Sequence, residues 1–320
     1  IDMYTSVLGR NRERHLTFQI EVILAAAPGG AFCMMWRVFE GGLPVPDLAG
    51  VDEHVDVVAD AAGRTRAAGL RQRYPQRVTT PLHYDAVRPG AVTLCVQSPS
   101  GGAFPDDDLR TTVRCSTGAY LHLTTQAATQ VFAGAGPGAQ HRLHFTVRSG
   151  AVLEYCPGTV IPHAGSVFEQ QIDIQVESGG VYLGWEALAS GRIAHGERFA
   201  YARYDSAFTI RIGDEMVARD RQMLRPSGFP APAGLIDGDY LATFVAVTPG
   251  LDSDRMVHRI RRILAARVSC RGGAGQLPRS AGVIVRATPR DATDLSGLRQ
   301  ALFDAARDET RREGEERTAL

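Results

Sequence analysis

The stretch TGAYLHLT, residues 117–124, returns as SGAVLEYC at 149–156 and as GGVYLGWE at 179–186, with a fainter copy, PGAVTLCV, at 89–96. In each copy a glycine precedes a short run in which apolar and polar residues alternate, the period-two pattern of a strand with one buried face. Aligned by eye, the glycines fall at Gly90, Gly118, Gly150 and Gly180, so consecutive copies are 28, 32 and 30 residues apart. The last three copies then run through a loop into Val131-Phe132, Val167-Phe168 and Arg198-Phe199. A near-constant period of this length marks stacked units, none of which can bury its apolar face alone. The sequence therefore predicts a mainly β protein: a β-helix-like, solenoid-like stack of short strands, with glycine supplying the tight corners at positive φ. A Greek-key sandwich is the competing architecture. Stacking would also bring the loops TTQAAT (124–129), CPGTVIPHAG (156–165) and EALASGRIAHG (186–196) to one edge.

The composition excludes several kinds of chemistry. A chain of 320 residues can bury a sizeable core in one large domain or two ordinary ones. Its 35 basic residues balance 35 acidic ones, which leaves no electrostatic footprint for nucleic acid or a membrane surface. Every basic residue is arginine and Asn11 is the sole asparagine, a skew that reads as biased codon usage. Without lysine there is no P-loop Gly-Lys-Ser/Thr, no Schiff-base lysine and no lysine general base. Five widely spaced cysteines lack any Cys-x-x-Cys pair, so neither a disulfide framework nor a zinc finger is indicated. Cys95, Cys115 and Cys156 read as small buried apolar residues, and a reducing, cytoplasmic setting is the simplest one. No run approaches the roughly 18–20 uninterrupted apolar residues of a membrane-spanning helix.

From about residue 51 to 248 short alternating strands follow one another, and helical periodicity is nearly absent. Beyond Pro230 the pattern changes. Residues 252–266 carry Met256, Val257, Ile260, Ile263 and Leu264 at helical spacing behind the capping candidates Asp252 and Ser253, and 294–307 repeat the idea with Leu295, Leu298, Leu302 and Phe303. With a strand at 283–287 between them, residues 240–310 read as a small helix-strand-helix closure on a β body spanning 51–230. The charged tail 311–320 reads as a fraying or disordered helix end. Residues 1–50 lack clean periodicity and read as an N-terminal extension, loosely ordered or from upstream of the start of translation.

Candidate chemistry is sparse. Asp106, Asp107 and Asp108 could hold a hard cation, but no EF-hand spacing surrounds them and a solvated turn is the plainer reading. Glu154 and Glu186 sit in otherwise apolar strands at what the alignment makes nearly equivalent positions. Burying an unpaired carboxylate costs several kcal/mol, so either they pair with arginine or they line a wet internal passage. His163 and His195 fall in corresponding loops without metal-ligand spacing, and no Gly-x-Ser-x-Gly elbow is present, so a hydrolase reading has no anchor.

The runs LRQRYPQRVTTPLHYD (70–85), SPSGGAFPDDDLRTTV (98–113), LTTQAATQVF (123–132), GAVLEYCPGTVIPHAG (150–165) and GWEALASGRIAHGERF (184–199) occur in the order and at the spacing of one known family. Over about residues 55–307 the chain resembles the urease accessory protein UreD, called UreH in some lineages. The resemblance implies a non-enzyme: a cytoplasmic scaffold that binds UreF, recruits the GTPase UreG and docks on apo-urease so that nickel reaches the buried active site. It implies a β-helix-like fold, no permanently bound cofactor, and transient nickel travelling through a water-filled internal passage. Carried over residue by residue, Asp107 is the acid of the family's Gly-Gly-x-x-Gly-Gly-Asp turn, Glu154 the acid of its Leu-Glu-Trp strand, and Glu186 the acid after its tryptophan. These three are the candidate nickel contacts. Thr124, Thr125, Gln126, His163 and His195 form the candidate loop edge facing the passage or a partner. Pro105 and Asp106 replace the family's two glycines, so that loop cannot adopt the same positive-φ conformation. The alternative is a stand-alone β-helical ligand-binding module, which would place exposed aromatics along the loop edge, where the three loops have none.

Overall fold

The computed structural model describes residues 19–26, 32–39, 53–226, 238–248, 250 and 252–318, with side chains from residue 53 to residue 312. The chain divides into two compact units, Ile1–Ala49 and Gly50–Leu320. In the first, strands Gln19–Ala26 and Phe32–Phe39 pair antiparallel as a hairpin.

The second unit is a β-solenoid of about four coils. Each coil crosses from one sheet to the other: Val92–Gln97 to Asp108–Cys115, Tyr120–Thr125 to Ala139–Val147, Val152–Cys156 to Val167–Val176, and Val181–Ala189 to Arg203–Ile212. Corresponding strands of successive coils pair in parallel, which excludes the Greek-key sandwich. The loops align as the sequence predicts. Short parallel strands Gly102–Ala103, Thr129–Val131 and Val160–Pro162 stack into a third, narrow face, and Gly165 donates its N–H to the Ala200 carbonyl in the next loop at 2.8 Å.

The corner glycines take left-handed conformations at Gly118 (φ 73°), Gly150 (φ 68°) and Gly179 (φ 80°). The third differs from the alignment by eye, which placed Gly180 there. Val152 pairs with Val181, and Leu153 with Tyr182. That one-residue offset turns over every side chain of the fourth coil's strand relative to expectation, because strand side chains alternate between faces.

The stack ends differently at its two extremities. At the first coil, Glu53–Ala59 pairs in parallel with Asp108–Cys115, and Thr65–Gln72 forms the outer edge of that sheet. At the last, the hairpin Arg203–Ile212 to Glu215–Leu224 closes one sheet. The other sheet is prolonged by three antiparallel strands, Tyr240–Val247, Gly282–Pro289 and Cys270–Gln276. The C-terminal portion is therefore a continuation of one solenoid wall rather than a closure laid upon it. Cys270–Gln276 (CRGGAGQ) escapes sequence reading because three glycines in seven residues carry no strand pattern.

Two helices cover the outer face of this extended sheet. Helix α1, Ser253–Ala265, starts where the Asp252 side chain accepts the Arg255 N–H at 3.0 Å, and it buries Met256, Val257, Ile260 and Leu264 on one stripe. Helix α2, Ala292–Thr318, runs through most of the charged tail instead of fraying at residue 307. Leu298, Leu302 and Phe303 of α2 join Trp185, Phe244 and Val285 in a core separate from the one inside the coils, where Leu94, Leu121, Leu153, Phe145, Ile174 and Ile210 interlock. No helix among the described residues is long and apolar enough to cross a membrane.

Candidate functional site

The strand Val181–Ala189 belongs to both cores. Leu183, Trp185 and Ala187 face the helices, whereas Tyr182 and Leu188 face the interior, and Glu186 shares their phase. Parallel pairing keeps each inward row in register from coil to coil. Leu121, Leu153 and Tyr182 form one such row and are apolar, as are Val113, Phe145, Ile174 and Ile210 on the opposite wall.

The row nearest the narrow third face is different. On one wall His141, Gln170, Ser206 and Gln222 lie side by side, and on the other Glu186 pairs with Thr243. Glu186 accepts hydrogen bonds from Gln170 Nε2 at 2.7 Å and Ser206 Oγ at 2.6 Å, while Gln222 Nε2 donates to Thr243 Oγ1 at 2.9 Å. Nearer the first coil, Thr111 Oγ1 lies 3.0 Å from His141 Nε2 and donates to Gln76 Oε1 at 3.3 Å. A polar layer thus runs from His141 to Gln222, with Leu109 as its neighbour in the first coil, while Thr111 and Glu53 are polar members of the next, otherwise apolar row.

Part of this layer, Gln170, His141 and Glu186, together with Thr111 and Gln76, borders a cavity of about 310 Å³ whose remaining wall is largely apolar, with Leu109, Leu123, Leu143, Phe168 and Tyr204. Burial pushes the Glu186 carboxyl above the usual carboxylate range despite the opposing bonds from Ser206 and Gln170, and it pushes the His141 imidazole down to about 4. Burial thus disfavours the charged form of both groups. Glu53, in the row beside Thr111, is fully buried with both carboxyl oxygens unpartnered, and desolvation raises it to about 8.

The loop residues divide between the two sides of the wall. Thr125 and Gln126 border the cavity; Thr125 Oγ1 accepts the Gly158 N–H at 2.8 Å and donates to the Ala127 carbonyl at 2.9 Å. Thr124 faces outward, donating to the Cys156 carbonyl at 2.8 Å beside α2. His163 meets Gln130 Oε1 at 2.9 Å and packs edge-on against Phe132, and His195 ends the exposed 3-10 turn Ile193–His195 in the adjacent loop. Asp107 closes its own turn by accepting the Phe104 N–H at 2.8 Å.

Glu154 is also on the outward face, and the sequence-stated equivalence with Glu186 does not hold. Its fully buried carboxylate accepts hydrogen bonds from the Tyr120 hydroxyl and from Arg307 of α2, with Nε at 2.7 Å, and His122 Nδ1 lies 2.8 Å away. Desolvation opposes ionisation here, but the bonds from Arg307 and His122 outweigh it and hold the carboxyl down at about 2. Of the two acids, Glu154 takes an arginine partner, whereas Glu186 borders the cavity. Among the described residues no three His, Cys, Asp or Glu side chains converge as a closed metal site.

His141, Gln170, Ser206, Gln222 and Glu53 were missed by sequence reading. The signal exists in two of the strands: in HRLHFTV, His141 keeps phase with Leu143 and Phe145, and in FEQQIDIQV, Gln170 keeps phase with Phe168 and Ile172. A polar residue in the apolar phase of an alternating strand marks a polar layer inside the stack.

Residues 52–318 match the family model for the UreD urease accessory protein. The chain is 60% identical over 255 residues to urease accessory protein UreD of Mycolicibacterium gilvum, covering 80% of this chain and 93% of that protein. It is 30% identical over 250 residues to urease accessory protein UreD 2 of Streptomyces griseus, covering 77% and 85% of the two. With UreD of Deinococcus radiodurans it shares 34% identity over 187 residues, 58% of this chain and 66% of that one. With its solenoid matched from end to end by this model and a relative 60% identical over most of both chains, the chain belongs to the UreD urease accessory protein family.

Proposed function

We propose that the chain serves urease maturation as a nickel-conducting scaffold: bound to UreF, with the GTPase UreG recruited to the complex, it docks on apo-urease in the cytoplasm and lets nickel pass along the polar layer of its coil stack. The carrying observation is the layer itself. An apolar interior would be the more stable design, so a row of amide, hydroxyl, imidazole and carboxyl groups, part of it bordering a cavity, calls for a polar cargo. Isolated oxygen and nitrogen donors suit transit better than a closed thiolate site, because cargo must leave as readily as it enters. Glu186 is the carboxyl on the route, where an approaching cation would favour its ionised form, and Thr125, Gln126 and His141 border the same cavity. Glu154, committed to Arg307, holds α2 in place, and Asp107 shapes the turn in front of the cavity. No lysine is present for a P-loop, so the nucleotide-driven step falls to a partner.

The test is nickel per active site in cognate urease matured with UreF and UreG, with and without this chain, followed by Glu186→Gln. Omission should leave urease empty and inactive, and Glu186→Gln should lower nickel content while UreF still co-purifies. Equal loading without the chain would sink the reading and return the ligand-binding module to first place.

A further inference from the structure

Thr124 belongs to a second concavity, one that the nickel route does not use. A cleft of about 440 Å³ lies on the outer side of the wall formed by Val92–Gln97, Tyr120–Thr125 and Val152–Cys156, where helix α2 passes over it. Parallel register sets its floor. Thr93 is in line with His122 and Glu154 in one outward row, and Thr124 with Cys156 in the next. Leu121, Leu123 and Leu153 of the same strands face the coil interior, so the sheet itself divides the cleft from the internal cavity. Helix α2 supplies the opposite side with Arg299, Gln300 and Arg307.

Three groups around the cleft lack the partners their positions call for. Thr93 is only 7% exposed and its backbone is paired with Leu82 at 2.8 and 3.0 Å, yet its hydroxyl makes no hydrogen bond among the described residues. A buried hydroxyl left in that state carries a desolvation cost that a ligand would relieve. His122 is held through Nδ1, 2.8 Å from Glu154 Oε2, which leaves Nε2 free of any described partner. Arg299 is half-buried beside the Cys156 thiol. Arg307 and Arg311 of the same helix each pair with a carboxylate, whereas Arg299 has none among the described residues.

The chemistry of the cleft selects the sign of its ligand. Its one acid, Asp85, is spent on its own turn, accepting the Val87 and Arg88 N–H groups at 2.9 and 3.0 Å. Two guanidinium groups oppose a cation, and no three metal-ligating side chains converge among the described residues. An anion fits. Hydroxyl and imidazole come from the floor, guanidinium and the Gln300 amide from the helix. Groups on two sides suit an ion whose oxygens point in several directions better than a planar carboxylate, which one guanidinium satisfies alone.

We propose that this cleft binds a small tetrahedral oxyanion of the phosphate type, held by Arg299 and Thr93 with His122 and Gln300 beside them. The bound ion ties α2 to the coil wall next to the Glu154–Arg307 contact, independently of whether nickel travels through the interior.

The test titrates the full chain with inorganic phosphate, with acetate and chloride at matched ionic strength as references, and follows heat of binding and melting temperature. Phosphate should bind saturably and raise the melting temperature, and the reference anions should do neither. Arg299→Ala should weaken phosphate binding about tenfold or more, because charge-assisted hydrogen bonds are lost, while Arg262→Ala at an exposed position of α1 should bind as wild type does. Thr93→Val decides should Arg299→Ala misfold. It removes a hydroxyl with no protein partner, so melting without phosphate should hold or rise while phosphate affinity falls about threefold or more. Absence of saturable binding, an equal response to acetate or chloride, unchanged affinity in either folded variant, or an equal loss in Arg262→Ala overturns the site.

Discussion

Glu154 and Glu186 occupy neighbouring strands of one sheet and point to opposite sides of it, Glu154 to Arg307 on helix α2 and Glu186 to Gln170 and Ser206 across the interior. Two carboxyls on adjacent strands, three residues apart in register, are thereby shifted in opposite directions, the first held down by its partners and the second pushed up by burial.

Replacing Glu154 with alanine leaves the Arg307 guanidinium without its partner in a part-buried site, and should cost about 3–5 kcal/mol of unfolding free energy at pH 7 by urea titration. The Glu154 carboxyl falls from 4.5 to about 2 on folding, so its contribution is complete above about pH 4.5 and is lost as pH drops toward 2. The gap between wild type and variant should narrow across that window, and a gap independent of pH would mean the carboxylate contributes only packing.

Glu53 predicts the reverse slope. Folding raises its carboxyl from 4.5 to about 8, so the folded state holds a proton that the unfolded chain releases, and stability contributed at acidic pH declines as pH rises through that interval. Glu53→Gln should remove that decline and melt higher than wild type at pH 8. An unchanged pH profile would show that the carboxyl finds a partner in solution.

The two threonines of the loop should separate cleanly. Thr125→Val strands the Gly158 N–H and alters the cavity wall, so it should lower stability by about 1–3 kcal/mol and reduce nickel loading of urease. Thr124→Val loses a bond to the Cys156 carbonyl on the far face, and loading should persist. Equal nickel deficits in both variants would mean that the defect is structural.

Gly150→Ala tests the corner. The added Cβ would sit 3.8 Å from its nearest neighbour, so there is room for it, and the cost is the left-handed backbone alone, roughly 1–2 kcal/mol. Gly150→Asn should cost less, because asparagine tolerates that region. Similar melting of all three proteins would place the coil's register under control of the strands rather than the corners.

The stack was legible because three corners and their alternating strands repeat nearly intact, and the aligned loops follow from it. What resisted reading was decided by a single residue. Gly179 and Gly180 stand side by side, and only backbone conformation, not identity, says which of them turns the corner; choosing the second shifts Glu186 to the wrong face. The strand Cys270–Gln276 was invisible because its neighbours, not its residues, make it a strand. Glu53 and Gln76 come from segments outside the repeat, and their convergence with Thr111 depends on how the first coil is capped, which no local pattern encodes.

Since equivalent positions stack along the coil axis, the polar row is parallel to that axis and advances by one strand spacing per coil. From His141 to Gln222 it covers about 14 Å. The row's length is then a count of coils, not a property of any side chain: duplicating one complete coil would lengthen it by about 4.8 Å, and removing one would shorten it by the same step. Distance and chemistry are separate variables in this architecture, open to change one at a time.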